Sequence, residues 1–300
     1  MGKRVALALA SGAARGLAHV GVVEELQAQG YEICSIAGSS IGALVGSFYA
    51  AGTLNAYKQW AIGLDKYDVF KLVDFTLGLH GFVKGEKVFN EMYELGFIPD
   101  KNVEDMSIPL AIVASDIVNN KEVVFTSGNL LDALRASISI PNVFTPKELN
   151  GAFFVDGGVV NPLPINRIPF CSYDLIVAVD LNANIPYVQP ISAKPKKPSG
   201  KLEKQLEELG RKWDEYFVPT KKKKISNLGY FEILSRSLQL MQEQLVRHTL
   251  ETNPPNVLIR IPTSACGTFE FYRAKEMIEL GREKCKEALA VYSPNKNIPQ

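Results

Sequence analysis

The 300-residue sequence predicts a three-layer α/β fold, with a mostly parallel central sheet between helices and a helical C-terminal extension. Three observations carry this. Strand-like and helix-like stretches alternate from the start in the order β, α, β, α. The strand-like runs are almost continuously apolar, as strands covered on both faces are. Finally, 46% of the residues are hydrophobic, enough for the large core that a layered fold buries.

Arg4 to Ala10 reads as the first buried strand, followed by a small-residue turn, Ser11-Gly12-Ala13-Ala14-Arg15-Gly16. Leu17 to Gln29 reads as a helix with His19, Val22, Val23 and Leu26 on one stripe, stopped by Gly30. Strand, turn and helix then repeat: Ile33 to Ala37, Gly38-Ser39-Ser40-Ile41-Gly42, and a helix through Ala51. Two strands joined by a helix of this length predict a parallel pair with a right-handed crossover, so reactive groups belong at the strands' carboxyl ends. Residues 54 to 97 read as mostly helical, interrupted between Gly78 and Gly85. Strands follow at Leu110 to Ser115 and Glu122 to Phe125, then a helix from Asn129, its cap, to Ser137. Ala152 to Val155 is a short strand running into Asp156-Gly157-Gly158, and Asp174 to Asp180 is another buried one. The first unit therefore spans residues 1–182.

Beyond Asn182 the character changes. Lys194 to Lys224 holds eleven basic residues against five acidic, including Lys221 to Lys224, which leaves the rest of the chain near −5. Pro190, Pro195 and Pro198 exclude regular structure at the start of this stretch, so 183–225 is read as a basic insertion or lid. Residues 226–300 read as helix, strand and helix packed on the core. The long helix carries Phe231, Leu234, Leu238, Met241 and Leu245 on one face; Val257 to Ile261 is the strand, and Phe271 to Leu289 the closing helix.

A formal net charge of +1 argues against a dedicated nucleic-acid binder. Cys34, Cys171, Cys266 and Cys285 lie far apart with no C-x-x-C, a pattern that suits a reducing compartment and offers no metal framework. Lys3 and Arg4 before Val5 to Ala10 imitate a signal peptide, but the apolar run is too short. Gly2 is no myristoylation site, because Ala6 stands where Ser or Thr is wanted. No run approaches the 18 apolar residues of a membrane span. The expected location is cytoplasmic, touching membranes at most from outside.

The stretch from Gly38 to Gly42 has the strand–turn–helix context of a nucleophile elbow. Glycines two before and two after Ser40 let the chain turn sharply and leave that hydroxyl exposed, above the positive end of the next helix. Adjacent parallel strands would bring the loop from Ser11 to Gly16 beside it, with the amides of Gly12 and Ala13 facing a developing oxyanion. Dinucleotide binding fails on detail, since glycines are missing at Ser11 and Ala13. Three histidines compete to be the base. His19 reads as packed in its helix, and His80 sits in a glycine-bounded loop. His248 completes a Ser…Asp…His order but falls within a helical run, with too few strands ahead of the elbow. The remaining candidate is Asp156, which would lie on the Ser40 side if its strand were parallel to the others. Burial would raise its pKa into the range of a general base.

These motifs, in this order, resemble the patatin-like phospholipases, which use a serine–aspartate dyad without histidine. The flanking stretches match as well: Leu17-Ala18-His19-Val20-Gly21-Val22, Arg135-Ala136-Ser137-Ile138-Ser139-Ile140-Pro141, Asn161-Pro162-Leu163-Pro164 and Asn253-Pro254-Pro255-Asn256-Val257. The resemblance covers nearly everything except 183–225. It implies that Ser40 is the nucleophile, Asp156 the base, and Gly12 and Ala13 the oxyanion donors. Arg15, Gly16, Gly38, Gly42, Gly157 and Gly158 then support the loop and elbow. The implied activity is hydrolysis of fatty-acyl esters of phospholipids or lysophospholipids, with no metal or other cofactor. Two alternatives stay open: an acyltransferase using the same acyl-enzyme, and a weakly active regulatory protein on the same fold. The family's loop is richer in glycine; here Ala10, Ser11 and Ala13 replace glycines.

The basic stretch yields a test of its own. Lysines near an anionic lipid surface attract it by about 1 kcal/mol each, and Leu202, Leu206, Leu209, Trp213 and Phe217 recur at helical spacing. Salt-sensitive binding to anionic vesicles is expected, and it should weaken when Lys221 to Lys224 become Gln; unchanged vesicle binding would reduce the lysines to a solvated loop.

Overall fold

The computed structural model describes residues 3–72, 86–141, 143–188 and 230–292. The expectations for Gly2, for the interruption at 78–85 with His80, and for the basic stretch Lys194–Lys224 lie outside these residues.

Among them, eight strands form one mixed sheet. Its parallel part is β1 (Arg4–Leu9), β2 (Glu32–Ser39), β3 (Leu110–Asp116), β7 (Leu175–Ala183) and β8 (Val257–Pro262), ordered β3-β2-β1-β7-β8. Three short strands are antiparallel: β4 (Lys121–Phe125) and β6 (Ala152–Asp156) both pair with β3, and β5 (Lys147–Leu149) pairs with β6. From β1 to β2 to β3 the sheet grows in one direction, and from β7 to β8 in the other. Right-handed crossovers therefore leave on opposite faces, and the order reverses between β1 and β7, where α/β sheets open a ligand crevice.

The antiparallel course of β6 corrects the premise that its strand parallels the others. β4 pairs with β3 over Ile112 to Asp116, so it occupies one edge of β3. β2 pairs only up to Val113, and β6 pairs from Ala114 onward, both along the other edge. Where β2 peels away, β6 takes its place from the opposite direction. Asp156 is registered with Ala114, one step past the Ser39–Val113 pair. Opposite polarity thus brings the aspartate to the level of the elbow.

Helices α1 (Leu17–Ala28), α2 (Ile41–Ala51), α3 (Leu54–Gly63), α4 (Lys66–Leu72), α5 (Glu86–Glu94), α6 (Leu130–Ser137), α7 (Tyr230–Thr252) and α8 (Ala274–Val291) flank the sheet. Asn129 caps α6 as expected, its side chain accepting the Asp132 N–H at 3.0 Å. The single apolar stripe expected of α1 is an underestimate, because nine of its residues from Leu17 to Leu26 are buried. The cause is α8, packed on its other side. Glycines let the two backbones touch: a Cβ at Gly21 would stand 1.8 Å from the Ile278 carbonyl oxygen, and one at Gly281 2.0 Å from that of Ala18.

On the elbow side, the rings of Phe48, Tyr57, Trp60 and Phe97 meet at centroid distances of 4.5 to 6.3 Å, tying α2 to α3. Cys34 and Cys171 form a disulfide that the sequence spacing did not suggest. Cys34 is the extra residue of a bulge in β2, since Val5 pairs with Ile33 and Ala6 with Ser35.

The glycine contact yields a stability test. Alanine is the better helix former by about 1 kcal/mol, yet Gly281→Ala should lower the melting temperature, because its methyl must push α1 and α8 apart at a cost of about 1–3 kcal/mol or more. A higher Tm in calorimetry would contradict the close approach.

Candidate active site

Ser40 occupies the turn between β2 and α2 with φ 55° and ψ −123°, a region that costs a non-glycine residue about 1–3 kcal/mol. Its own amide donates to Ser137 Oγ at 2.9 Å, which holds the turn in place. The flanking glycines are needed for space. A Cβ at Gly38 would lie 2.4 Å from the Ala43 nitrogen, and one at Gly42 2.2 Å from the Leu9 carbonyl oxygen. Gly16 is crowded in the same way by Ile41, and Gly157 by the Val113 carbonyl.

The Ser40 hydroxyl donates to Asp156 Oδ2 at 2.5 Å across 116 positions of sequence. The other carboxylate oxygen, Oδ1, accepts the Gly158 N–H at 2.7 Å. The aspartate backbone is held on both sides: its N–H reaches the Ser139 carbonyl at 2.9 Å, and its C=O accepts from Ser115 Oγ at 2.8 Å. Burial pushes the Asp156 pKa up to about 6, against the pull of the bonds from Ser40 and Gly158. The side chain is therefore mostly ionised at neutral pH, with a proton affinity suited to taking up a hydroxyl proton.

The loop after β1 lies beside Ser40. Gly12, Ala13, Ser40 and Asp156 all line one wide cleft of about 680 Å³. Ala13 has φ 49°, and the N–H groups of Gly12 and Ala13 have no partner among the described residues. The neighbouring amides are used: Ser11 N–H reaches the Pro162 carbonyl at 2.8 Å, and Ala14 N–H that of Thr268 at 3.1 Å. Arg15 braces the loop. It donates from Nε to the Leu181 carbonyl at 3.0 Å, from Nη1 to the Cys266 carbonyl at 3.3 Å and from Nη2 to Asn182 Oδ1 at 3.0 Å. Burial lowers its pKa, with partial compensation from Asp180 and other nearby groups.

Ser40 also borders a second cavity, of about 90 Å³, walled by apolar side chains that include Leu44, Tyr57, Trp60, Val69, Phe89 and Phe144. The serine thus stands where an apolar chamber meets a polar cleft whose lining includes Gln242, Glu243 and Arg273.

The two described histidines lie elsewhere. His19 is buried behind the loop, with Nε2 2.9 Å from the Ala10 carbonyl oxygen. Burial lowers its pKa to about 4, so it is neutral, and since Ala10 offers only an acceptor, Nε2 carries the proton. His248 is exposed on α7 and is not among the residues lining either cavity.

Four residues around the site carried no assigned role in the sequence reading. Ser137 and Ser139 stand in a flanking stretch that was quoted only for its likeness. Gln242 donates from Nε2 to the Gly158 carbonyl at 3.0 Å. Asn182 donates from Nδ2 to the Ser11 carbonyl at 2.9 Å. The available signal was Asp180-x-Asn182, a polar pair ending an otherwise apolar strand. Among the described residues no three His, Cys, Asp or Glu side chains gather in a way that could hold a metal ion. No described helix is long and apolar enough to cross a membrane.

The elevated pKa makes a stability prediction. The Asp156 pKa is about 6 in the folded chain and near 3.8 when solvated. Folding therefore favours the protonated form, and stability from this group is lost as pH rises through 6. Asp156→Asn should stabilise the protein at pH 7 by on the order of 2–3 kcal/mol. The gain should shrink as pH falls toward 4, where the wild-type carboxyl is itself protonated in the folded chain. A variant less stable than wild type at pH 7 in denaturant titrations would contradict the burial of this charge.

Comparison with known proteins places this arrangement. The family model described as patatin-like phospholipase matches residues 7–167, a stretch that includes both Ser40 and Asp156. An uncharacterised NTE family protein of Mycobacterium tuberculosis is 32% identical over 96% of this chain and 92% of its own length. Patatin-like phospholipase domain-containing protein 7 of Mus musculus is 30% identical over 61% of this chain, but only 14% of that longer protein. More than half of the chain fits one family model, and a relative aligns over most of both chains. The chain belongs to the patatin-like phospholipase family.

Proposed function

We propose that this protein is a serine hydrolase of lipid acyl esters, working through a Ser40–Asp156 dyad on phospholipids or lysophospholipids. The single observation that carries this reading is the 2.5 Å bond from Ser40 Oγ to a buried carboxylate, set where an apolar chamber meets a polar cleft. Family membership supports the substrate class, since the related mouse protein bears a phospholipase-domain name.

The geometry supports the following reaction course. Asp156 takes the hydroxyl proton as Ser40 Oγ bonds to the ester carbonyl carbon, and the carbonyl oxygen becomes an oxyanion. The N–H groups of Gly12 and Ala13, unpartnered among the described residues, receive that charge. Collapse breaks the ester C–O bond, and the leaving alkoxide takes the proton from Asp156. Water then attacks the acyl-enzyme, with Asp156 again accepting a proton and returning it to Ser40 as the fatty acid departs. The apolar chamber suits the start of the acyl chain. The polar cleft suits the glycerol and head group, and it gives the water of the second half-reaction its way in.

Three measurements test this. Ser40→Ala and Asp156→Asn should each lower kcat/KM for a nitrophenyl ester on the order of a thousandfold or more, with the fold intact, whereas His248→Ala should keep most activity. A folded His248→Ala as damaged as Asp156→Asn would replace the dyad with a triad. The pH profile should follow the base: kcat/KM falls about tenfold per pH unit below the Asp156 pKa of about 6. A profile flat down to pH 4.5 would remove Asp156 from the role of base.

A further inference from the structure

The two loop amides unpartnered among the described residues, on residues that line the cleft, belong to consecutive peptide units, and such a unit can keep its N–H turned to the cleft if its carbonyl is held on the other side. For the Gly12–Ala13 unit the anchor is local: the Gly12 carbonyl accepts the Arg15 N–H at 3.2 Å. The Ser11–Gly12 unit has no such turn closing on it, and its position is the more delicate of the two. A Cβ on residue 12 would come within 2.7 Å of Leu181 Cβ, so the packing of β7 against the loop requires glycine there. Glycine imposes little preference on φ. The same substitution that lets the loop approach β7 therefore removes the steric barrier to turning this peptide over. Turned over, it would withdraw the Gly12 N–H and aim the Ser11 carbonyl oxygen at the place where negative charge develops.

One side chain holds the Ser11 carbonyl, that of Asn182 at the carboxyl end of β7, through Nδ2 at 2.9 Å. Its amide cannot be reversed without loss. Asn182 Oδ1 accepts from Arg15 Nη2 at 3.0 Å, and a guanidinium has only donors to offer, so the nitrogen must face Ser11. The Asn182 backbone is fixed in turn by its N–H donating to Asp180 Oδ1 at 2.8 Å. Asn182, Asp180 and Ser11 are all buried, so water does not stand in for the bond. The preceding unit is clamped at both ends, by His19 on the Ala10 carbonyl and by the Pro162 carbonyl on the Ser11 N–H. Asn182 lies outside the stretch matched by the family model, which ends at residue 167.

We propose that Asn182 is a positioning residue: its Nδ2–H locks the Ser11–Gly12 peptide with the Gly12 N–H presented to the oxyanion formed at Ser40. The proposal rests on the reading of Gly12 as an oxyanion donor. Asn182 touches no substrate atom and acts only through the peptide it holds.

Asn182→Asp is the sharpest test. It keeps the shape and the oxygen that meets Arg15, but replaces the donor with an acceptor that repels the Ser11 carbonyl. Removing an oxyanion donor costs roughly a hundred- to a thousandfold in kcat, and the expected loss here is about a hundredfold in kcat on a short-chain nitrophenyl ester, with KM within twofold. Affinity for an alkyl trifluoromethyl ketone, which adds Ser40 to form a tetrahedral oxyanion, should fall by a similar factor. Affinity for the unfluorinated ketone of the same chain length should not change. Asn182→Ala should behave alike. A folded Asn182→Asp with kcat within threefold of wild type would overturn the proposal, as would equal losses of affinity for both ketones. Failure of both variants to fold would assign Asn182 to the stability of β7 and overturn it as well. Ser40→Ala, measured in parallel, separates the two levels. An inert Ser40→Ala beside a fully active Asn182→Asp removes only the lock, whereas an active Ser40→Ala removes the dyad and the lock with it.

Discussion

The arrangement depends on one edge of β3 being used twice. β2 runs along its first half and β6, from the opposite direction, along its second. A single strand cannot both leave the sheet to make a sharp turn and remain to carry a partner for that turn. Dividing the edge between two strands solves this, because the point where β2 departs is also the point where β6 ends. Ser40 and Asp156 inherit their closeness from that shared boundary, and the backbone ladder fixes it more rigidly than side-chain packing would. Ser115 and Ser139 tie the Asp156 backbone to β3 and to the segment after α6, so the aspartate is set by three elements at once.

Rigidity matters because the site is held against its own preferences. Ser40 sits in a disfavoured backbone region, Ala13 at positive φ, and a carboxylate is buried beside them. Each is uncomfortable alone, and each is restrained by a bond from outside the loop that contains it: Ser137 for the elbow, Thr268 for the turn at Ala14, Ser40 for the carboxylate. Two nearby basic groups are neutral or already engaged. His19 carries no charge, and the guanidinium of Arg15 spends its donors on two carbonyls and one amide oxygen.

How far the sequence disclosed this varies with the range of the interaction. The strands and helices were legible because apolar runs and 3.6-residue spacing are local signals, and so were Gly12, Ala13 and Ser40, each lying in a turn directly after a strand. Asp156 was legible as a residue type before two glycines, but the direction of its strand was not, because five residues do not encode which edge they will join. β5 is three residues long and left no pattern. The burial of α1 on both sides required knowing that α8 returns to cover it. The disulfide joins positions 137 apart and depends on a bulge. Asn182 was hidden for the same reason: its partner, Ser11, lies 171 positions earlier.

The loop after β1 has a consequence for how the protein is made. It leaves a ribosome before these supports do: Pro162, then Leu181 and Asn182, then Cys266 and Thr268. A nascent chain that already contains Ser40 and Asp156 still lacks the carbonyls and the amide that shape the loop around them. The loop therefore stays unfinished until synthesis has passed Thr268. Premature termination or C-terminal proteolysis before Thr268 leaves a fragment that contains Ser40 and Asp156 but lacks the finished loop beside them.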